Sequence, residues 1–515
     1  MTATPRPVDV GPSGTTPADV LSVARHGAEV RLTQEAVDAM ARGRAAVERL
    51  AGAREPAYGI STGFGALALR HIPPELREEL QVSLIRSHAA GMGEPVEAEV
   101  VRALVFLRLK TMASGHTGAR PALAQAMAAM LNARITPVVP EFGSLGCSGD
   151  LAPLAHCALV LMGEGRATVD GREVPGATAL AGAGLDPVRL SVKEGLALIN
   201  GTDGMLGMLL MAIDDLAHLC RLADLTAAMS VEALLGTDQV FRPQLHAPLR
   251  PHPGQAVSAD NMLRLMAGSA IVASHRDGDV RVQDAYSCRC APQVTGAVRD
   301  TLDHAAAVAG RELAAAVDNP VVLDTGEVTS NGNFHGAPLG YVCDFLAIAV
   351  ADLGSMAERR TDRLLDRTRS HGLPPFLAAN PGVDSGLMIA QYTQASMVSE
   401  NKRLAAPASV DSIPSSAMQE DHVSMGWNAA RKLRRAIDNL RRILVVELVT
   451  AARALELRAP LAPAPATAAV VAALRQVVPG PGPDRPVAPE LAAAEALVRA
   501  GTVLEAAVAV AGPLG

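Results

Sequence analysis

Apolar residues recur at i, i+3, i+4 spacing through four short stretches of the first 190 residues, and this spacing predicts helices over 33–50, 74–90, 96–112 and 120–132. Pro74 stands where a first helical turn tolerates proline. The Gly-rich stretches YGISTGFG (58–65) and HAAGMGEP (88–95) break the periodicity, and ATVDGREV (167–174) reads as a small hairpin turning on Asp170-Gly171. Beyond residue 190 the same pattern runs longer, over 203–236, 295–317, 339–365, 384–404 and 427–458. Thirty helical residues span about 45 Å, which suits a bundle rather than an open sheet. The stretch APLAPAPATAA (459–469) interrupts the pattern before a short helical C-terminus, and no internal repeat is evident. These patterns predict an all-α fold in two domains. A loop-rich N-terminal part, 1–190, rests on a long antiparallel bundle with a C-terminal helical cap, 191–515.

Composition sharpens this picture. The chain has 515 residues, 49% of them hydrophobic but only 2% aromatic, so its core must be built from Ala, Leu, Val and Met in closely packed helices. A net charge of −7 argues against nucleic acid as a partner. The basic run RKLRRAIDNLRR (431–442) places Leu433, Ile437 and Leu440 at helical spacing, and reads as a solvated face or a subunit contact. The six cysteines, at 147, 157, 220, 288, 290 and 343, form no C-x-x-C pair and fit a reducing compartment. The first residues carry no apolar signal core, and no uncharged run reaches the ~18 residues a bilayer span requires. The expectation is a soluble cytoplasmic protein with no membrane partner.

The segment EFGSLGCSGDLAPLAH (141–156) raises the chemical question, because it sets Ser148 between Cys147 and Gly149 among further glycines. A serine nucleophile elbow requires G-x-S-x-G between strand and helix, and here the second Gly comes one place early with no β-rich segment before it. Neither G-x-G-x-x-G nor a following GK[ST] is present, and H-E-x-x-H is absent, so neither a nucleotide site nor a metal site is expected. A third reading has its own chemical logic. If the Gly149 amide nitrogen attacks the Cys147 carbonyl carbon, a five-membered ring closes. Gly149, without a Cβ, suits the compressed backbone this needs. Loss of water then gives an imidazolone, and loss of the Ser148 hydroxyl leaves an exocyclic methylidene, an electrophile made from backbone alone.

GSLGCSGDLAPLAH resembles the signature of the aromatic amino acid ammonia-lyase family, whose prosthetic group is 4-methylideneimidazol-5-one (MIO). YGISTGFG, SHAAGMGEP, EGLALINGTDGM, RVQDAYSCRCAPQV, SNGNFHG and SSAMQEDHVSMGW resemble further blocks of that family in order, over nearly the whole chain. The one departure is Cys147, where the family usually has Ala; its side chain is not consumed by cyclisation. The resemblance implies a fumarase/aspartase-like helical fold and MIO formed from Cys147-Ser148-Gly149 with no external cofactor. It also implies a homotetramer with active sites shared between chains. The implied reaction is loss of ammonia from L-histidine to give trans-urocanate. A lyase or 2,3-aminomutase acting on tyrosine or phenylalanine, or a homologue that keeps the fold without the prosthetic group, is the alternative.

The same blocks imply roles for single residues. Tyr58 is the base that removes the β-proton, Tyr286 the second phenol of the site, and Glu420 a further catalytic carboxylate. Arg289 would pair bidentately with the substrate carboxylate. Asn200 would bond the MIO ring or the reacting amine, Phe334 would pack over the MIO, and Gln283 would line the pocket. His88 and Glu420 carry the substrate choice. Asp150 stands where it could cap the helix opening at Leu151, and His156 is read as structural.

Overall fold

A computed structural model of the chain describes residues 5–52, 59–63, 67 and 69–515. The described residues are mostly helical with a few short strands, as the periodicity predicts. They form two compact units that are interleaved along the chain. One comprises 1–211, 306–344 and 407–431; the other comprises 212–305, 345–406 and 432–515. Four of the five boundaries between them fall inside regular helix, and the units are not consecutive segments.

The first unit holds the short elements. Its helices Gln34–Ala51, Arg77–His88, Ala98–Ala113 and Pro121–Asn132 lie within a few residues of the predicted ones, and Thr33 caps the first by accepting from the Ala36 amide. The predicted hairpin is present as Arg166–Val169 paired antiparallel with Arg172–Pro175, and Asp170 and Gly171 at its turn both have positive φ. Four other strand pairs among the described residues, Val8–Val10 with Val30–Leu32, Met92–Pro95 with Pro140–Phe142, Thr136–Pro137 with Arg166–Val169, and Val321–Val322 with Val328–Thr329, carry no sequence period of their own. They are two to four residues long and form where neighbouring helices bring loops side by side.

The helix Ala98–Ala113 is this unit's axis. Every residue from Val100 to Ala113 is buried, including Arg102, Arg108 and Lys110. Each of these cations donates to backbone carbonyls: Arg102 to Val23 and Leu131, Arg108 to Asn200 and Val317, Lys110 to Ala315. Burial lowers the Lys110 ammonium to about 8.

The second unit is built from the long helices. Asp203–Ala233, Ala291–Ala314, Ala337–Leu365, Met388–Leu404 and Gly426–Glu456 match the five long patterns, and all but Met388–Leu404 also extend into the first unit. Within this unit buried polar groups join one helix to the next. Arg360 meets Glu447 at 2.5 Å, and the same carboxylate accepts from Thr226 and Ser230. Arg299 meets Asp224 at 2.7 Å, and Gln394 donates to the Ile443 carbonyl. The Pro/Ala stretch does more than interrupt: Pro465 opens a new helix, Pro465–Leu474, and buried Glu232 accepts from the amide of Ala464 just before it and from the Thr467 hydroxyl in its first turn.

The basic run is neutralised, with Arg434 on Asp215, Arg435 on Glu400 and Arg442 on Glu495, so it reads as a paired helix face. Among the described residues, two helical spans, Glu194–Ala233 and Ala337–Leu365, are long and apolar enough to cross a membrane by composition. The first is 94% buried inside the protein, the mark of a core helix, and the second 61%.

Arg360 and Glu447 are both essentially inaccessible to solvent. Truncating Glu447 to Ala would leave a buried guanidinium with its partner gone, a loss of about 3–5 kcal/mol. A marked fall in the denaturation midpoint of Glu447→Ala is expected. The Arg360→Met/Glu447→Leu pair should recover most of that loss, since it removes both charges together.

Candidate active site

The loop that carries Cys147-Ser148-Gly149 is fixed at both ends. Ser144 Oγ accepts from the Gly146 amide at 3.1 Å and donates to Asp150 Oδ1 at 2.9 Å, closing the loop on itself. The Gly146 carbonyl accepts from Ser424 Oγ at 2.6 Å and from the Gly336 amide at 3.0 Å, and the Met425 amide donates to the Leu145 carbonyl at 2.8 Å.

Gly149 has φ +72°, and a Cβ there would lie 2.2 Å from the Gly201 carbonyl oxygen. No side chain fits, in conformation or in space. The following Asp150 amide donates to that same carbonyl at 2.7 Å. The segment 149–150 is therefore pressed flat on Asn200–Gly201. The absence of a Cβ at Gly149 permits this approach, so the residues fit an MIO.

Asp150 does not cap its own helix. Its side chain makes no bond to the helix Leu151–Leu161; Oδ2 instead accepts from the Gly204 and Met205 amides at 2.9 and 3.0 Å, capping the long helix Asp203–Ala233. Complete burial pushes this carboxyl up to about 7 against the opposing effect of those donors. Burial requires partners, and the nearest free amides belonged to another helix. His156 accepts from the Gly91 amide at 3.1 Å, a structural role as read from the sequence.

Asn200 lies directly beside the triad. Its Oδ1 accepts from Ser148 Oγ at 3.3 Å, and its Nδ2 donates to the Asn319 carbonyl at 3.1 Å. Its own carbonyl is held by Arg108 Nη1 at 2.6 Å, while Nη2 of the same guanidinium holds the Val317 carbonyl at 2.7 Å. Asp318, next in the chain, pairs with Lys193 at 2.6 Å, both wholly buried. Two cations thus fix the two backbone segments that present Asn200. Sequence reasoning passed over Arg108, Lys193 and Asn319. The available signal was Arg108 and Lys110 inside VRALVFLRLKTMA, charges in a helix with no polar face.

Glu420 faces the triad from the other side. Its Oε2 accepts from Cys147 Sγ at 3.3 Å and from Ser415 Oγ at 3.0 Å. His88, the last residue of its helix, has Nδ1 2.9 Å from the Leu84 carbonyl, which makes Nδ1 the protonated nitrogen and leaves Nε2 as an acceptor. Burial lowers the His88 pKa, partly offset by the bond to Leu84 and by the nearby charge of Glu420. His88 is therefore neutral at physiological pH. Phe334 is half-buried in the turn before the helix Ala337–Leu365, two residues from Gly336, which bonds the triad loop.

The structure thus gathers Cys147, Ser148, Gly149, Asn200, Glu420, His88 and the Phe334 turn within one unit. Gln283, Tyr286 and Arg289 belong to the other. There Gln283 is exposed, Tyr286 is 70% exposed, and the Arg289 guanidinium lies 4.6 Å above the Tyr286 ring while Nε donates to the Asp284 carbonyl. Tyr58 lies outside the described residues.

Comparison with known proteins gives a consistent result. The chain is 68% identical to a histidine ammonia-lyase of Streptomyces griseus over 511 residues, covering 98% of this chain and 99% of the relative. It is 67% identical to one of Streptomyces coelicolor over 509 residues, again covering 98% and 99%. Among solved structures, the histidine ammonia-lyase of Trypanosoma cruzi superposes with a TM-score of 0.89 at 37% identity, covering 98% of this chain and 95% of the other. The tyrosine aminomutase of Streptomyces globisporus does so with a TM-score of 0.92 at 38% identity, covering 98% and 99%. The model of the family described as aromatic amino acid lyase matches residues 15–476, and the chain belongs to that family.

Proposed function

We propose that the protein removes ammonia from L-histidine to give trans-urocanate, using an MIO that forms autocatalytically from Cys147, Ser148 and Gly149. The observation that carries this reading is the close approach of Gly149 to Gly201 in the triad, with the Glu420 carboxylate on the Cys147 thiol and His88 near enough to Glu420 to feel its charge. When present, the MIO methylidene supplies an electrophile that takes up the substrate amino group and improves it as a leaving group.

The protein's own groups do the rest. Tyr58 removes the β-proton, with Tyr286 as the second phenol. Arg289 forks onto the substrate carboxylate, Asn200 bonds the ring or amine, Phe334 packs over the ring, and Gln283 lines the pocket. An imidazole has two ring nitrogens that must find partners once desolvated, and a pocket of apolar walls would leave them unpaired. Neutral His88 and the Glu420 carboxylate meet that need, which favours histidine over phenylalanine or tyrosine.

The active sites are shared in a homotetramer. Three features support this: Tyr286 stands exposed on the single chain, Tyr341, Phe345 and Ile348 form an uncovered apolar stripe on one long helix, and only 61% of that helix's apolar span is buried. A cytoplasmic location fits the six free cysteines.

Intact-mass measurement should find the chain lighter than its encoded mass by two waters; an unmodified mass in active protein would sink the MIO reading. Ser148→Ala, which cannot form a methylidene, should fold but lose more than about a thousandfold in activity, the scale of removing a covalent catalyst.

His88→Leu should cut kcat/KM for histidine about ten- to a hundredfold, the rate equivalent of an unpaired ring nitrogen, while relatively favouring phenylalanine. Faster turnover of tyrosine or phenylalanine by the wild type would overturn the substrate assignment.

Light scattering should give a mass near four times 53.2 kDa. Co-refolding inactive Tyr58→Phe and Arg289→Lys variants should restore part of the activity, and a fully active monomer would refute shared sites.

A further inference from the structure

Residue 147 is where this chain departs from the family's usual alanine, and the extra atom is engaged. The Cys147 thiol donates to Glu420 Oε2 at 3.3 Å, and the Ser415 hydroxyl donates to the same oxygen at 3.0 Å. Oε1 carries neither donor. Glu420 and Ser415 are also bonded backbone to backbone in both directions, at 2.8 and 3.3 Å. That pairing anchors the Glu420 main chain, but its side chain still has rotatable bonds that only the two side-chain donors restrain.

The thiol itself is well placed to hold. Cys147 is 7% exposed and packs against Val423 and Met425, with Leu145 and Ala408 beside them. Burial, and then the charge of Glu420, push the thiol up to about 12, so it keeps its proton and remains a donor throughout the physiological range. Ring closure uses the Cys147 carbonyl carbon, not its side chain, so the Sγ–H group survives formation of the MIO.

We propose that Cys147 is a positioning residue for substrate recognition: its thiol, together with Ser415, ties down Glu420 Oε2 and so presents Oε1 to the imidazole of the substrate. An alanine at this position would leave the carboxylate restrained by Ser415 alone. This inference rests on the reading of Glu420 as a group that meets the substrate ring.

The test is a double-mutant cycle on the full-length enzyme with histidine as substrate, using Cys147→Ala, Glu420→Gln and the double variant, with Cys147→Ser as the conservative replacement. Each protein is first checked for the two-water mass loss. Cys147→Ala should retain the MIO mass and lose about three- to tenfold in kcat/KM, the scale of one weak donor to a charged acceptor. Cys147→Ser, which keeps a donor, should return to within about twofold of wild type. In the Glu420→Gln background, where the charged acceptor is gone, Cys147→Ala should cost clearly less than it does in the wild type. Additive losses with Glu420→Gln itself impaired, or a serine variant as poor as alanine, would overturn the positioning role alone. A Cys147→Ala protein as active as wild type, or one lacking the mass loss, would also overturn it, the latter by placing the thiol in cyclisation. Full activity of Glu420→Gln would instead remove Glu420 from the substrate site, and this inference with it.

Discussion

The backbone of Gly149 rests against the Gly201 carbonyl so closely that a Cβ would come within 2.2 Å of the oxygen. Most of the candidate site depends on that approach. It sets the Ser148 hydroxyl 3.3 Å from Asn200 Oδ1 and brings the Asp150 carboxylate onto the amides that open the helix Asp203–Ala233. Any side chain at 149 would force these two segments apart. Residues 149–150 are thereby held against Gly201 both by this contact and by the Asp150 amide, which donates to the same carbonyl at 2.7 Å.

Burying polar groups is costly unless each finds a partner, and this fold uses that cost to fix positions. Arg108 meets Asp203 through Nε at 3.5 Å and holds the Asn200 and Val317 carbonyls at one spacing, 2.6 and 2.7 Å away. Lys193 does the same for Asp318. Neither cation touches the triad, yet both determine where Asn200 can sit. In the other unit the Arg360–Glu447 pair, with Thr226 and Ser230, plays the equivalent part among the long helices. Apolar packing alone would allow those smooth Ala- and Leu-rich surfaces to slide.

Electrostatics separates the two acidic groups nearest the triad. Asp150 is fully enclosed, which raises its carboxyl to about 7, and it serves as an internal cap by accepting from the Gly204 and Met205 amides. Glu420 lies half-buried and close enough to His88 to influence it. One carboxylate is committed to capping a helix, and the other accepts from Cys147 and Ser415 through a single oxygen.

Local pattern determined much of this protein. The spacing of apolar residues located the five long helices and four of the short ones, because such spacing is set residue by residue; Pro17–His26 and Pro253–Leu265 went unpredicted. Asp170-Gly171 announced its hairpin because type I′ geometry demands positive φ. The triad and the family's blocks pointed to the chemistry because ring closure requires particular atoms in order. Other features were decided only in three dimensions. The two- to four-residue strands form between segments far apart in sequence, such as Met92–Pro95 and Pro140–Phe142. Asp150 lies next to one helix and caps another, since a buried carboxylate takes whichever amides the fold brings to it. The thiol of Cys147 meets a carboxylate 273 residues away. A sequence lists donors and acceptors, but which of them are deprived of water, and so compelled to pair, is settled by packing.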